Sequence, residues 1–255
     1  MTTFFSWFGQ LLQYLRTLAA ISMLCLLLVW SLPAQAASRI DPQLEQQVLQ
    51  IIREHPEAII ESVQVFQQQQ QQKLNQVRQG FLQDLKTNPQ TVIGESPTTG
   101  STNSKTLLVE FSDFECPYCA EAHKTLKQLL AKYPDKVKLV YKNLPLTSIH
   151  SQALPAATAA WAAYQQGKFW EYHDALFTNQ KKLGEALYLD IAKNLNLDLV
   201  KFKRDRNLAT PAITKDVQLA EKLAVAGTPF FVISSPTISR VVQLSDIENI
   251  LADAK

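Results

Sequence analysis

The sequence has little cysteine and no excess of either charge. Lysine and arginine total 25 against 23 acidic residues, a formal net charge of +2 over 255 residues. That balance leaves no electrostatic footprint for nucleic acid, and no basic stripe with interleaved aromatics is present, so nucleic acid is excluded as a partner. The three cysteines are Cys25, inside an N-terminal apolar run, and the close pair Cys116 and Cys119. A disulfide framework needs cysteines spread along the chain, and closing so short a loop restricts the unfolded state little. His55, His123, His150 and His173 are scattered, and there is no second cysteine pair to complete a zinc site. No metal is therefore assigned, and His123 reads as a surface or packing residue. A soft-metal (copper) carrier using the two thiolates is the alternative function, but two ligands with no methionine cluster nearby make a poor dedicated site.

What is present begins with an export pattern. Arg16 is the last charge before an apolar stretch from Leu18 to Leu32, followed by Pro33 and Ala34-Gln35-Ala36. A positive region, a hydrophobic region and an A-x-A site in that order predict a signal peptide over residues 1–36, cut between Ala36 and Ala37. The run falls short of the ~20 residues of a spanning helix, and an uncleaved membrane anchor is the alternative. Cys25 follows the large residues Met23 and Leu24, which does not suit a lipid acceptor. Either outcome places the rest of the chain in the periplasm or an equivalent extracytoplasmic compartment, where disulfides persist.

Residues 38–90 read as a glutamine-rich helical arm. Leu44, Val48 and Ile52 recur at four-residue steps, and Pro56 opens a second helix whose stripe holds Ile59, Val63, Phe66, Leu74, Val77, Phe81 and Leu85. Two helices cannot bury that stripe alone, which predicts a homo-oligomer formed through the arm. Residues 91–104, rich in Gly, Ser, Thr and Pro, read as a flexible linker.

Beyond it the pattern changes. Thr106–Ser112 is a largely apolar strand, central in its sheet; Cys116–Tyr133 has helical spacing; Val137–Tyr141 alternates as a second strand. These form a βαβ unit with a right-handed crossover. Residues 148–226 read as a helical insertion, followed by strands at Phe230–Ser234 and Arg240–Leu244 and a helix from Ser245. The fold class is α/β, in the order βαβ, helical insertion, ββα.

The chemistry points to Cys116-Pro117-Tyr118-Cys119. Cys116 begins a helix that follows a strand, where unsatisfied N–H groups and the helix dipole favour a thiolate. A thiol with pKa near 8.5 is about 3% ionised at pH 7, and one lowered to about 5.5 is about 97% ionised. Cys119 lies one helical turn on, on the same face, and can resolve a mixed disulfide formed at Cys116. Pro117 at the first helical position needs no N–H partner. Strand, C-x-x-C, helix favours redox chemistry over zinc.

Phe111-Ser-Asp-Phe-Glu-Cys-Pro-Tyr-Cys119 resembles the active-site segment of the DsbA-like branch of the thioredoxin superfamily. Gly167-Lys-Phe-Trp-Glu-Tyr-His-Asp-Ala-Leu-Phe177 is similar to a helix of that branch's insertion, and Gly227-Thr-Pro-Phe-Phe231 to the loop carrying the superfamily's cis-proline. The match covers residues 105–255. It implies a thioredoxin-like fold and a protein thiol:disulfide oxidoreductase, with no cofactor beyond the redox-active disulfide Cys116–Cys119. It also implies a cis Thr228–Pro229 bond beside the sulfurs, with the Thr228 backbone free to pair with a substrate strand. Pro117, Tyr118 and Thr228 would then be substrate-binding residues. Glu110 would be a buried acid passing protons to and from Cys119. The plainer alternatives are a proline that merely opens a strand and an edge glutamate that reaches solvent. The implied partners are unfolded or misfolded exported proteins and a membrane redox partner that recycles the pair.

The glutamine-rich arm resembles the oligomerisation arms of suppressor-of-copper-sensitivity protein C and related disulfide isomerases. Tyr118 stands where strongly oxidising members often carry histidine, and a tyrosine hydroxyl supplies no positive charge. With threonine before the cis-proline, this predicts a milder potential, suited to an oxidase of moderate strength or an isomerase.

Overall fold

The computed structural model describes residues 22–23 and 41–253. Apart from residues 22–23, the signal-peptide reading of residues 1–36 and its cleavage point lie outside those residues. The chain divides into a unit ending at Phe66 and a unit from Gln67 to Lys255.

The first unit is helical. Helix α1 (Pro42–Glu54) starts where the Asp41 carboxylate accepts a hydrogen bond from the Gln43 N–H at 2.9 Å, with Pro42 in the first turn. It stops at His55, before Pro56, which opens the 32-residue helix α2 (Pro56–Thr87). Up to Phe66 every described residue is exposed, including Leu44, Val48, Ile52, Ile59, Val63 and Phe66.

The second unit takes up the rest of α2 and uses it differently from the expected arm. Phe81 and Leu85 are buried beside Leu107, Val109 and Val232. The Arg78 guanidinium donates to the carbonyl of Leu223 at 2.9 Å, and the Ser239 hydroxyl to that of Leu82 at 3.2 Å. The stripe read as one oligomerisation face is therefore divided: its C-terminal end is core of the second unit. The linker expectation for residues 91–104 is corrected as well. That segment completes α3 (Pro89–Ile93), buries Val92 and Ile93, and forms strand β1 (Thr98–Gly100), paired antiparallel with β3. Its polar composition suits an edge strand. Gly100 is required there: its φ is +84°, and a Cβ would collide with the Val137 carbonyl oxygen.

The remaining elements are β2 (Leu107–Ser112), α4 (Pro117–Lys132), β3 (Lys138–Asn143), α5 (Ala153–Tyr164), α6 (Phe169–Thr178), α7 (Glu185–Asn194), α8 (Leu199–Leu208), α9 (Thr210–Lys222), β4 (Phe230–Ser234), β5 (Ser239–Val242) and α10 (Leu244–Asp253). The sheet order is β1-β3-β2-β4-β5, with β2 and β3 parallel and the other pairs antiparallel. This is the α/β, thioredoxin-like order expected, with helices α5–α9 as the insertion. Strand β2 is central and every one of its residues is buried, as its apolar run requires.

One charged pair ties the insertion to the sheet. Lys142 on β3 and Asp216 on α9 meet at 3.1 Å with side chains only 7% and 9% exposed. The Asp216 carboxylate also accepts from the Asn143 backbone N–H at 3.0 Å.

Candidate active site

Cys116 caps the N-terminus of α4, with Pro117 as the first helical residue. Both cysteines are free thiols; Cys116 is 4% exposed and Cys119 0%. The loop between β2 and α4 is held from three sides. The buried Asp113 carboxylate accepts from the N–H of Glu115 at 2.8 Å and of Leu146 at 2.9 Å, and pairs with His150 Nδ1 at 2.8 Å. From the insertion, the Gln180 amide donates to the carbonyls of Phe114 (2.9 Å) and Cys116 (2.8 Å). The Glu115 carboxylate accepts from the Gln152 N–H.

Thr228–Pro229 is a cis peptide bond. The loop it belongs to brings the Thr228 carbonyl oxygen to 3.3 Å from Cys116 Sγ, which donates to it as a thiol. On the outer side of the same loop lies a groove of about 370 Å³ lined by Tyr118, Thr228, Pro229, Phe230, Val241 and Leu244, among others. Tyr118, 73% exposed, stands at its edge. Concave, largely apolar, and bounded by backbone at one side, the groove suits an extended peptide.

Behind the pair the surroundings become dry. Burial pushes the Cys119 thiol up, and the neighbouring Ser112 hydroxyl opposes this. Glu110, 2% exposed on β2, is pushed up to about 7 by burial, again against the influence of Ser112. Ser112 thus adjoins both the Cys119 thiol and the Glu110 carboxyl, yet its hydroxyl makes no hydrogen bond of good geometry, and neither does Glu110 Oε1. Tyr141, paired with Glu110 across β2 and β3, is likewise buried with an unpartnered hydroxyl. Four polar groups in an apolar setting exert strong mutual influence.

The structure thus brings together the residues the sequence put forward for the site: Cys116 capping α4, Pro117, Tyr118 and Cys119 in its first turn, Thr228 and Pro229 opposite, and Glu110 behind. The reading of Glu110 as an edge residue reaching solvent does not hold. Sequence reasoning missed Asp113, His150 and Gln180, which fix the loop, and Ser112 and Tyr141, which surround Cys119. Asp113 carried a usable signal, a carboxylate three residues ahead of Cys116; His150 and Gln180 carried none, because their role depends on long-range contacts.

A family model described as Thioredoxin matches residues 92–253. The chain belongs to the thioredoxin family. A thioredoxin-like oxidoreductase from Silicibacter pomeroyi is 32% identical, covering 66% of this chain and 97% of its own, with a TM-score of 0.57. Proteus mirabilis ScsC shares the fold at 23% identity and TM-score 0.56, over 84% of this chain and 98% of its own. The thiol-disulfide exchange protein alpha-DsbA2 of Wolbachia pipientis also shares the fold, at 23% identity and TM-score 0.59, over 72% of this chain and 98% of its own. The curated relatives include Na(+)/H(+) antiporter NhaA proteins: one of Salinispora tropica is 42% identical over 138 residues, 53% of this chain and 21% of the antiporter. The chain spans about a fifth of the length of the relatives it matches there. Among the described residues of this thioredoxin-family chain, no helix is long and apolar enough to cross a membrane.

Proposed function

We propose that this chain is an exported thiol:disulfide interchange enzyme that forms or isomerises disulfides in unfolded or misfolded exported proteins. The observation that carries the reading is the 3.3 Å contact between Cys116 Sγ and the Thr228 carbonyl, which sets the outer sulfur of the pair against a strand-pairing backbone.

In the oxidised enzyme a substrate thiolate attacks Cys116 Sγ. The S–S bond breaks, its electron pair leaves on Cys119 Sγ, and a mixed disulfide forms with Cys116. Because burial disfavours the Cys119 thiolate, it takes a proton, and Glu110 is the acid placed to supply it. A second substrate thiolate then attacks the mixed disulfide and releases Cys116 as a thiolate. Two electrons have passed from substrate to enzyme, and a membrane redox partner takes them to restore the disulfide. For isomerisation the Cys116 thiolate attacks a substrate disulfide, whose S–S bond breaks to release a substrate thiolate and form a mixed disulfide. A different substrate thiolate then attacks the substrate sulfur of that mixed disulfide, forms the new substrate disulfide and expels Cys116 as a thiolate, with no net oxidation.

The helical arm supports the isomerase side. Its apolar residues up to Phe66 are exposed on two amphipathic helices, and a second copy of the same arm would cover them, presenting two or more active sites to one substrate. The test is the reduction potential of the pair, measured with repair of a scrambled disulfide protein. A potential between about −270 and −120 mV together with repair supports the reading. Repair unaffected by Cys116→Ser would overturn it.

A further inference from the structure

His123 on α4 and His173 and Asp174 on α6 converge beside a cavity of about 180 Å³, which Glu110 also lines. Asp174 Oδ1 stands 3.5 Å from His123 Nε2 and 3.5 Å from His173 Nδ1. The donor atoms of the three residues all lie within 4.8 Å of one another. These spacings are long for hydrogen bonds to a carboxylate, which close to roughly 2.7–2.9 Å. The two 3.5 Å distances lie close to the edge of a coordination sphere, since tetrahedral ligands at about 2.0–2.1 Å from a zinc-type ion stand roughly 3.3–3.4 Å apart, and the two ring nitrogens would draw together on binding.

The donors are already arranged for such an ion. Lys127 Nζ holds the other carboxylate oxygen, Oδ2, at 2.6 Å and leaves Oδ1 turned toward the two rings. The aromatic rings of Phe177, Tyr141 and Trp170 pack within 5.1 Å of the His173 ring and keep its surroundings dry. Asp174 and Lys127, both partly exposed, give the ion a way in.

A second observation points the same way. His173 is 3% exposed, and its Nε2 is buried with no hydrogen-bond partner. An ion on Nδ1 would fix the ring proton on Nε2, and the same cavity offers it a carboxylate, Glu110, whose Oε1 also lacks a partner. A ligating histidine that hands its other N–H to a carboxylate is the usual outer arrangement around zinc.

We propose that His123, His173 and Asp174 form a binding site for a divalent transition-metal ion of the zinc type, with its fourth position open to the cavity. Two imidazoles and a carboxylate suit such an ion; Ca²⁺ and Mg²⁺ prefer oxygen alone, and Cu(I) prefers sulfur. The ion would cross-link the active-site helix to the insertion. The site uses neither cysteine, and Glu110, the proton donor of the exchange reading, lines the same cavity.

The test uses the full chain with Cys116 and Cys119 oxidised to the disulfide, so that neither sulfur can ligate. Co²⁺ is the probe, because a tetrahedral Co²⁺ site absorbs in the visible. One equivalent should produce that absorption, Zn²⁺ should abolish it by displacement, and Zn²⁺ should raise the melting temperature. His123→Gln and Asp174→Asn should each weaken binding at least about tenfold, since losing even an outer-shell partner typically costs that much. Circular dichroism establishes that the variants fold. Should either fail to fold, Zn²⁺-dependent shifts of the His123 and His173 ring nitrogens in the wild-type protein, read by NMR, replace it. No visible absorption at saturating Co²⁺, unshifted ring nitrogens, or binding by folded variants equal to wild type overturns the proposal.

Discussion

Glu110 and Tyr141 lie directly opposite each other in the parallel register of β2 and β3, both buried and both with an oxygen that has no hydrogen-bond partner. Natural cores rarely leave two such atoms unsatisfied side by side, and where they do the reason is commonly functional. Here the carboxyl is held protonated to about pH 7 by burial, at the back of a pair of thiols that must exchange protons.

That arrangement has a stability consequence with a definite sign. Folded Glu110 keeps its proton to about pH 7, whereas an unfolded one releases it near 4.5. The stabilisation is fully present below about 4.5 and is lost as pH rises through about 7, a difference of roughly 3 kcal/mol. Glu110→Gln in the oxidised protein should therefore gain up to about 3 kcal/mol at pH 8 and little at pH 4. Urea unfolding at the two pH values measures this, and an equal effect at both would contradict it. The variant should also exchange disulfides more slowly at neutral pH.

Cys119→Ser should leave Cys116 able to attack but unable to be released from within. Incubated with a disulfide-bonded substrate, the variant should accumulate a mixed disulfide visible on a non-reducing gel, and Cys116→Ser should form none. Trapping through position 119 instead would reverse the assigned roles.

Gln180 reaches from the insertion to two carbonyls of the active-site loop. Gln180→Ala removes both bonds and should cost about 1–2 kcal/mol of stability. It should lower the rate of disulfide exchange more than it lowers peptide affinity, because Gln180 does not line the groove. Stopped-flow exchange and peptide titration separate the two; an unchanged rate would leave Gln180 as packing alone.

Removing residues 38–66 takes away the exposed apolar helices and leaves Phe81 and Leu85 in the core they complete. Sedimentation should show a monomer that still oxidises a dithiol peptide at the wild-type rate but repairs scrambled disulfides poorly. Full-length protein that is monomeric and repairs normally would sink the oligomer proposal.

Much of this was legible in the sequence for identifiable reasons. The apolar run of β2, the Cys116-to-Cys119 spacing and the Thr228-Pro229 dipeptide are local signals, and the elements appear within a residue or two of where periodicity puts them. The misreadings came where tertiary contacts override composition. Residues 91–104 look like a linker because an edge strand needs only one paired side and tolerates Ser and Thr. Phe81 and Leu85 continue the stripe of α2 without interruption, and nothing in the spacing says that the stripe changes partner after Phe66. His150 and Gln180 are invisible as loop holders, since one contact spans 37 residues and the other 64.

The hydrogen bond from the Cys116 thiol to the Thr228 carbonyl makes docking depend on electron count. While Cys116 carries its proton, a reduced enzyme satisfies its own platform, because that proton occupies the acceptor that an incoming strand would use. Once Cys116 is bonded to sulfur that proton is gone, and the carbonyl must look outward for a donor. One such bond is worth about 1 kcal/mol, or roughly fivefold in affinity. Binding would then favour the enzyme with a disulfide to give, and the act of giving it would loosen the product.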